Sequence, residues 1–387
     1  MPPTNPFGVL TTPATLATIA ERAPDRDFLV AGDGELSFLR TAILSAKFAS
    51  GLQALGLQRG DRIGILLPNG IRWCLALFAA HCAGLCVVPL NTWYRVDELG
   101  GVARRAKLRA VITQADVFGF AAADAIDTLD IPGYLGTLRW PPDAQLPVDL
   151  PEVAGPPDAL AALRDSPVDG SSDALVLFTS GSTAAPKAVR LSHAGMVGNA
   201  YAVGERQGVR DGDKFWFASP LFFVFGCANA LPNALTHAAT LCLQERFDAE
   251  EALQFIERQR CTVYYGVGPM TRALAASPSL GLRDISSLRT GTANATPEDL
   301  RIAIEVLGVA EVCNAYGMTE GYGHSTITAH DDPADVRINT QGRALPTQEV
   351  RIVVDGVVAG AGVPGDVQIR GTISSGYLDG NELDVDV

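Results

Sequence analysis

The sequence predicts an α/β fold built from two series of βαβ units, with mostly parallel sheets flanked by helices. Residues 27–115 alternate short apolar segments with helical segments of ten or more residues, a pattern typical of parallel βαβ units. A second series of this kind begins at Asp173, and after Asp331 the helical periodicity stops. A chain of 387 residues is also too long for one ordinary hydrophobic core, which favours two or three packed subdomains.

The first series begins with a predicted hairpin that turns at residues 32–34. The pattern then predicts alternating helices and strands, namely a helix over 39–55, a strand over 62–68, a helix over 71–82, a strand over 86–90, a helix over 96–106 and a strand over 110–113. Residues 120–172 are rich in Pro, Asp, Ala and Gly with weak periodicity, so we expect a surface linker with short elements there.

The second series opens with residues 175–189, where four apolar residues run into small or hydroxylated ones and then into Pro186 and Lys187. This pattern predicts a buried strand that ends in a loop suited to a polyphosphate, because amides and hydroxyls donate to phosphate oxygens and lysine offsets their charge. It is not a Walker A loop, since Pro186 and Ala188 stand where that motif needs Gly and Ser or Thr. The simpler alternative is a loop that joins the strand to a helix opening near Ser192, whose hydroxyl would cap it.

The rest of the second series predicts strands over 214–219, 239–243, 261–265 and 288–290 and a helix over 249–260. Residues 220–226 form a strand-to-helix junction with four large apolar side chains, for which core packing is the default interpretation. After Asp331, the pattern predicts hairpin strands over residues 341–346, 350–354 and 365–371.

Composition excludes several classes of partner and site. A formal charge of −13 argues against nucleic acid, which calls for basic patches. The seven cysteines are scattered through apolar runs without metal-ligand spacing, so we expect buried free thiols in a reducing cytosol.

The apolar segment over 73–90 is broken by Gly84 and Pro89, and the first residues lack the pattern of a signal peptide. We therefore expect a cytoplasmic protein without a membrane span, of unknown oligomeric state.

Residues 314–320, Asn-Ala-Tyr-Gly-Met-Thr-Glu, form a second motif. Tyr316 offers a flat face on which a ring can stack, and Glu320 offers a hard oxygen ligand for Mg²⁺. The simpler alternative is a loop after a strand with a solvated Glu320.

Both motifs resemble signatures of the adenylate-forming superfamily, which comprises acyl- and aryl-CoA synthetases, luciferases and nonribosomal peptide adenylation domains. The phosphate-binding signature of that superfamily matches eight positions here, namely Thr179, Ser180, Gly181, Ser182, Thr183, Pro186, Lys187 and Val189. Ala184 and Ala188 replace two of its glycines, and a Cβ where such a glycine has positive φ would cost about 1 kcal/mol. Residues 314–320 match a second signature without a gap, and residues 291–294 match two positions of a third.

The resemblance implies a role for each matching residue. It implies catalytic roles for Lys187, Thr319 and Glu320, with Thr183 and Glu320 as ligands of Mg²⁺. It implies that the nucleotide is bound by Thr179, Ser180, Gly181, Ser182, Thr183, Gly291, Thr292, Ala293, Asn314, Ala315 and Tyr316, with the Asn314 amide at the adenine edge. It implies that the acyl group is bound by Phe222, Phe223, Gly226, Gly266, Gly317, Met318 and His324. A surface role is an equal alternative for His324. Phe223 stands where the family often has histidine, which suggests an apolar acid.

The resemblance covers only the large domain of the family. It implies two stacked βαβ-type subdomains over about 1–165 and 166–335, plus a small distorted β-barrel subdomain over 336–387. The family's small C-terminal domain and its catalytic lysine have no counterpart, since no lysine follows Lys214; a fragment and a natural single-domain relative both remain open.

The activity implied is that of an AMP-forming acyl-CoA synthetase, with ATP, Mg²⁺ and coenzyme A as cofactors. The implied small-molecule partner is a carboxylic acid. The implied protein partner is a carrier protein or the C-terminal domain. Two alternatives are an enzyme that performs only the thioester-forming half from a supplied acyl-adenylate, and a non-catalytic adenylate-binding module.

Overall fold

A computed structural model describes Gly8, residues 10–179 and residues 186–378. The predicted fold class is confirmed, because parallel sheets flanked by helices alternate along most of the chain. The chain divides into two compact units. The first runs to Ala194 and includes Pro220–Phe223, and the second comprises Gly195–Ser219 and the chain from Val224 onward. This division places the strand before the predicted phosphate loop in the first unit.

The first unit contains six helices and eight strands among the residues described. The helices are α1 (Thr12–Arg22), α2 (Phe38–Ala54), α3 (Ile71–Cys82), α4 (Val96–Ala106), α5 (Ala122–Asp127) and α6 (Ala159–Arg164). The strands are β1 (Asp27–Ala31), β2 (Gly34–Ser37), β3 (Arg62–Leu66), β4 (Cys86–Pro89), β5 (Leu108–Thr113), β6 (Gly136–Arg139), β7 (Asp173–Thr179) and β8 (Lys187–Ser192).

Six of these strands form one sheet in the order β6-β5-β3-β4-β7-β8, in which only β7 and β8 pair antiparallel. The stretch predicted as a linker with short elements contains three short elements, namely α5, β6 and α6, and β6 joins the sheet. The buried side chain of Trp140 follows the strand and packs edge-on against Phe48 at 5.4 Å. The packing of Trp140 thus holds β6 at the edge of the sheet. The sequence of β6 lacks the repeated apolar pattern from which a strand is predicted.

The second unit contains six helices and eleven strands among the residues described. The helices are α7 (His193–Gln207, which begins in the first unit), α8 (Leu231–Thr236), α9 (Ala249–Gln259), α10 (Gly268–Ala276), α11 (Pro297–Glu305) and α12 (Ala334–Asn339). The strands are β9 (Lys214–Phe217), β10 (Thr240–Leu243), β11 (Val263–Tyr265), β12 (Thr290–Thr292), β13 (Glu311–Cys313), β14 (Ala315–Tyr316), β15 (Thr326–Ile327), β16 (Arg343–Ala344), β17 (Gln348–Val354), β18 (Val357–Val358) and β19 (Asp366–Gly371).

Five strands of the second unit pair parallel in the order β13-β12-β11-β9-β10, so their carboxyl ends lie at one edge. Two three-stranded antiparallel sheets, β14-β15-β16 and β18-β17-β19, contain strands at the three segments predicted as hairpin strands, and β14 and β15 were not predicted. Helix α12 lies beyond Asp331, where no helix was predicted. Its Arg337 donates to the carbonyls of Asp332 and Val312 at 2.9 and 2.8 Å, which anchors a turn too short to show periodicity.

All seven cysteines are buried and free, which confirms the prediction of buried thiols. Within the described ranges, every helix is too short or too polar to cross a membrane.

Two buried histidines and Thr12 form a polar cluster in the core of the first unit. The hydroxyl of Thr12 lies 2.7 Å from Nδ1 of His81 and 3.1 Å from Nδ1 of His193, and the imidazole rings meet edge-on at 4.6 Å. The Nε2 atom of His81 lies 3.0 Å from the carbonyl oxygen of Ala174 and donates to it. Burial lowers the pKa of His81 to about 4 and that of His193 well below its usual value, so both rings are neutral in the folded protein.

We expect His81→Asn to reduce the acid sensitivity of the fold. The pKa of His81 is lower in the folded protein than in the unfolded chain. The contribution of His81 to the free energy of unfolding is therefore complete above about pH 6.5 and is lost as the pH falls toward about 4. Between pH 7 and pH 5 the free energy of unfolding of the wild type should therefore fall by about 2 kcal/mol more than that of the variant. Urea unfolding at the two pH values measures the difference, and equal losses would contradict this account.

Candidate functional site

The predicted phosphate segment is a hairpin rather than a strand that leads directly to a helix. Strands β7 and β8 pair antiparallel, and Thr179 lies opposite Lys187 where the two strands meet the loop. The Thr179 side chain is half-buried and Lys187 is exposed. Ser180, Gly181, Ser182, Thr183 and Ala184 lie outside the described residues. The expectation that the loop leads straight to the helix near Ser192 is wrong, because β8 comes between them.

Ala188, one of the two replacements of a family glycine, lies in an extended strand. It pairs with Phe178 and is fully buried. Its φ is not positive, so the Cβ adds no backbone strain, and it fills space between the sheet and its neighbours. The condition for the predicted cost, a positive φ, is therefore not met at Ala188.

Arg105 supports this hairpin from helix α4, and sequence reasoning missed it. Its guanidinium donates to the carbonyl oxygen of Pro186 and lies 5.5 Å from the centroid of the Phe178 ring. The arginine thus contacts β7 and the residue before β8, and it adds a cation beside Lys187. Because arginine is common in this chain, the sequence carries no signal that distinguishes Arg105.

Phe222 and Phe223 pack with Trp93 in an aromatic cluster of the first unit. The ring centroids of Phe222 and Phe223 are 4.5 Å apart, and those of Trp93 lie 5.4 and 5.8 Å from them. Phe222 is buried, whereas Phe223 and Trp93 are 43% and 61% exposed. The two phenylalanines were predicted to contact the acyl group, and Trp93 was not singled out.

The motif over residues 314–320 is held in place by buried amides. Asn314 is buried, its Nδ2 donates to the carbonyl of Thr340 at 3.0 Å, and its Oδ1 accepts from the backbone N–H of Ala315 at 3.0 Å. The Asn314 amide thus orients the start of the motif, and its predicted contact with the adenine edge stays a prediction. Ala315 and Tyr316, both half-buried, follow in β14.

A tight turn follows Tyr316 and needs glycine at residue 317. A Cβ on Gly317 would lie 2.2 Å from the carbonyl oxygen of Gly323, so the two backbone segments are in direct contact. Asn199 fixes the other side of the turn, since its Nδ2 donates to the carbonyls of Gly321 and His324 at 3.3 and 2.8 Å. Met318 is half-buried on this turn.

Thr319 and Glu320 open one turn of 3-10 helix, and both side chains are half-buried. One carboxylate oxygen of Glu320 accepts from the hydroxyl of Tyr377 at 2.8 Å, and the backbone carbonyl of Glu320 accepts from the N–H of Ser374 at 2.7 Å. The carboxylate is therefore oriented by a residue 57 positions later in the chain.

The donor set at this turn fits magnesium. Among the residues described, no group of three His, Cys, Asp or Glu side chains could hold a metal ion by itself. Mg²⁺ is typically bound by one or two carboxylates together with substrate phosphates and water. A single oriented carboxylate next to a threonine hydroxyl suits that mode. Thr183, the other predicted ligand, is not among the residues described.

Within residues 291–294, Gly291, Thr292 and Ala293 are buried and Asn294 is half-buried. Gly291 has φ of +128°, and a Cβ there would lie 1.9 Å from the carbonyl oxygen of Tyr264 in the neighbouring strand. The hydroxyl of Thr292 donates to Oδ1 of Asn294 at 3.1 Å.

His324 is fully buried, so the alternative of a surface role is wrong. Its Nε2 lies 3.3 Å from Oδ1 of Asn294, and its ring meets that of Phe225 edge-on at 6.0 Å. Burial lowers the pKa of His324 to about 4, so the ring is neutral at pH 7. Of the other residues predicted to bind the acyl group, Gly226 is buried in a turn of π-helix over Phe225–Ala230, and Gly266 lies just after β11.

A sequence model of the family described as AMP-binding enzyme matches residues 16–378. The chain is 32% identical over 381 residues to the 3-[(3aS,4S,7aS)-7a-methyl-1,5-dioxo-octahydro-1H-inden-4-yl]propanoyl:CoA ligase of Mycobacterium tuberculosis, with 96% of this chain and 73% of that protein covered. It is 30% identical over 394 residues to the human mitochondrial medium-chain acyl-CoA ligase ACSF2, with 92% and 63% covered. Among solved structures, the inhibitor-bound N-terminal domain of FACL13 from Mycobacterium tuberculosis superposes with a TM-score of 0.78 at 24% identity, covering 95% of this chain and 91% of that one.

Proposed function

The chain belongs to the family of AMP-binding enzymes, and from that premise we propose that it activates an apolar carboxylic acid with ATP and then transfers the acyl group to coenzyme A. Its acyl-CoA ligase relatives make it an AMP-forming carboxylate–CoA ligase, a class that uses ATP, Mg²⁺ and coenzyme A. The finer proposal is that this chain carries both the nucleotide site and the acyl site. This proposal depends on one observation. The hydroxyl of Tyr377 orients the Glu320 carboxylate, and the turn that contains Glu320 adjoins Tyr316.

In the proposed first step, a carboxylate oxygen of the acid attacks the α-phosphorus of ATP and pyrophosphate leaves. A carboxylic acid with a pKa near 4 is already ionised at pH 7, so this step needs no general base. Catalysis then consists of positioning and charge neutralisation at phosphorus. Bound Mg²⁺ would supply positive charge at the phosphates.

Each part of the chain has one proposed task in that step. Thr179 and Lys187, which face each other across the hairpin, bind phosphate oxygens. Tyr316 stacks on the adenine, Thr319 donates its hydroxyl to the α-phosphate, and Glu320 binds the metal. Since the formal charge of the chain is −13, these local donors must capture an anionic substrate against the mean field.

In the proposed second step, the thiol of coenzyme A attacks the acyl carbonyl, a C–S bond forms and AMP leaves. A pantetheine thiol on a carrier protein has the same reacting group and is a second candidate acceptor.

The apolar character of the acid is supported by the aromatic cluster of Phe222, Phe223 and Trp93. Aromatic side chains favour an apolar acyl chain over an amino acid, whose ammonium group would need a carboxylate partner. The names of two relatives specify a medium-chain acyl group and a methyl-substituted bicyclic acid that carries two oxo groups, and neither acid is an amino acid.

Two assays test the proposal. Acid-dependent exchange of labelled pyrophosphate into ATP should be observed if the chain forms the adenylate. A synthetic acyl-adenylate supplied with coenzyme A should give the thioester. Thioester formation without exchange would instead assign only the second half-reaction to the chain, and failure of both would leave an adenylate-binding module.

A further inference from the structure

Arg105 lies at the loop end of the β7–β8 hairpin, the element proposed to bind phosphate oxygens. It belongs to the last turn of helix α4, which ends at Ala106. Its guanidinium donates to the carbonyl oxygen of Pro186 and lies 5.5 Å from the centroid of the Phe178 ring. One side chain thus contacts both the end of β7 and the residue that precedes β8.

The hydrogen bond to Pro186 fixes the backbone at the start of β8. The C=O of Pro186 and the N–H of Lys187 share one planar trans peptide group, so they point in opposite directions. Because the carbonyl is held toward Arg105, the direction of the Lys187 N–H is fixed as well. Lys187 lies opposite Thr179 in the register of the hairpin, so Arg105 helps to hold these two residues face to face.

Arg105 and Lys187 differ in how strongly water screens their charges. Lys187 is exposed, whereas Arg105 is half-buried against the hairpin. A partly buried charge acts through a lower effective dielectric constant than an exposed one. The formal charge of the whole chain is −13, so a cation in this position lowers the free-energy cost of bringing a polyphosphate to the hairpin.

The simpler explanation of Arg105 is a structural one. A cation in the last turn of a helix stabilises that helix, because it interacts favourably with the helix dipole. Arg104 supplies a cation in the same turn, and its side chain is exposed. The contacts with Phe178 and Pro186 belong to Arg105. The two arginines are therefore a matched pair, with the helix dipole in common and the hairpin contacts as the difference.

We propose that Arg105 is a positioning residue of the nucleotide site and makes the affinity for a nucleotide depend on its number of phosphate groups. Through the Pro186 carbonyl it holds Lys187 in place, and its charge favours a triphosphate over a monophosphate. Position 105 lies outside the motifs that this sequence shares with the adenylate-forming superfamily. The inference rests on the proposed function, because it assumes that the β7–β8 hairpin binds the phosphates of ATP.

Calorimetric titration of ATP, ADP and AMP into the wild type and Arg105→Gln tests the inference. No Mg²⁺ is added, so that each further phosphate adds negative charge to the ligand. Glutamine keeps an N–H donor for the Pro186 carbonyl but carries no charge. The variant should bind ATP about 10-fold more weakly than the wild type does, ADP by an intermediate factor and AMP by less than about 3-fold. At about 1 M salt, where the Debye length falls to about 3 Å, the loss for ATP should shrink below about 3-fold.

Arg104→Gln is the matched control, because it removes the same charge from the same turn of α4. It should bind each nucleotide within about 2-fold of the wild-type affinity, since an exposed charge is largely screened. Arg105→Met covers failure of Arg105→Gln to fold, because its unbranched side chain can still pack on the Phe178 ring. It should show the same dependence on phosphate number. Arg105→Lys keeps the charge, so its affinity for ATP should lie between those of the wild type and Arg105→Gln.

The outcomes separate this inference from the proposed function. Losses of equal size for ATP, ADP and AMP in the neutral Arg105 variants would indicate a structural role and overturn the inference. Unchanged affinities, or a wild type that binds AMP but not ATP, would overturn it as well and leave a nucleotide site standing. A wild type that binds none of the three nucleotides, with or without Mg²⁺, would contradict the proposed function itself.

Discussion

Replacing Glu320 by Gln is expected to lower kcat/KM of acid-dependent AMP release by about 100- to 1000-fold, the range typical for loss of one charge-stabilising group in an active site. Glutamine keeps an oxygen that can accept from Tyr377, so the turn should stay in place while the negative charge is lost. Because Mg²⁺ prefers anionic oxygen ligands, the variant should also need a higher Mg²⁺ concentration for half-maximal rate.

A Mg²⁺ titration of the rate in the wild type and in Glu320→Gln separates metal binding from general damage. Glu349→Gln is the matched control, since Glu349 is an exposed residue of the same unit that pairs with Arg370 at 2.6 Å on the small β17–β19 sheet. The control should keep the wild-type rate and Mg²⁺ dependence. A Glu320 variant with both parameters unchanged would remove this residue from the metal site.

Replacing Gly291 by Ala is expected to destabilise the protein by about 3 kcal/mol. About 1 kcal/mol arises because φ of +128° disfavours any residue with a Cβ. A further 1–3 kcal/mol is the usual cost of overpacking, and here the Cβ would lie 1.9 Å from a backbone carbonyl oxygen, which cannot turn away as a side chain can. Strand β12 would have to move away from β11, and residues 292–294 would move with it.

The midpoint of urea unfolding at constant slope measures this change. Gly281→Ala is the control, because a Cβ on Gly281 has nothing within 4 Å, and its stability should stay within about 0.5 kcal/mol of the wild type. A Gly291→Ala variant as stable as the control would show that β11 and β12 are not in the close contact described.

Sequence reasoning predicted the bounds of two helices of the first unit. The bounds of α3 and α4 agree with the predicted ranges to the residue. In α4 the Glu98 side chain accepts from the N–H of Arg95 at 2.9 Å, and Lys107 ends the helix in the left-handed conformation. A glutamate at the third helical position is a signal of a helix start that is visible in the letters, whereas a lysine in the left-handed conformation is not.

The features that sequence reasoning missed depend on distant partners. Strand β8 forms because β7 pairs with it, although its own residues read as the approach to a helix. Arg105 reaches a carbonyl 81 residues away, and Tyr377 reaches a carboxylate 57 residues away. In the sequence, Asn229 is a polar residue in a largely apolar segment. Only the structure shows that its Oδ1 accepts from Tyr265 and that its Nδ2 has no hydrogen-bond partner among the described residues.

The most direct test of the central claim, that residues 314–320 bind the adenylate, is a calorimetric titration of AMP into the chain and its Tyr316→Ala variant. The wild type should bind one equivalent of AMP. Stacking on an aromatic side chain contributes about 1–3 kcal/mol per base, so the variant should bind AMP about 5- to 150-fold more weakly than the wild type. Tyr134→Ala, at a hydrogen-bonded tyrosine of the other unit, should bind like the wild type. Absence of AMP binding to the wild type, or equal affinity in the wild type and Tyr316→Ala, would contradict the account.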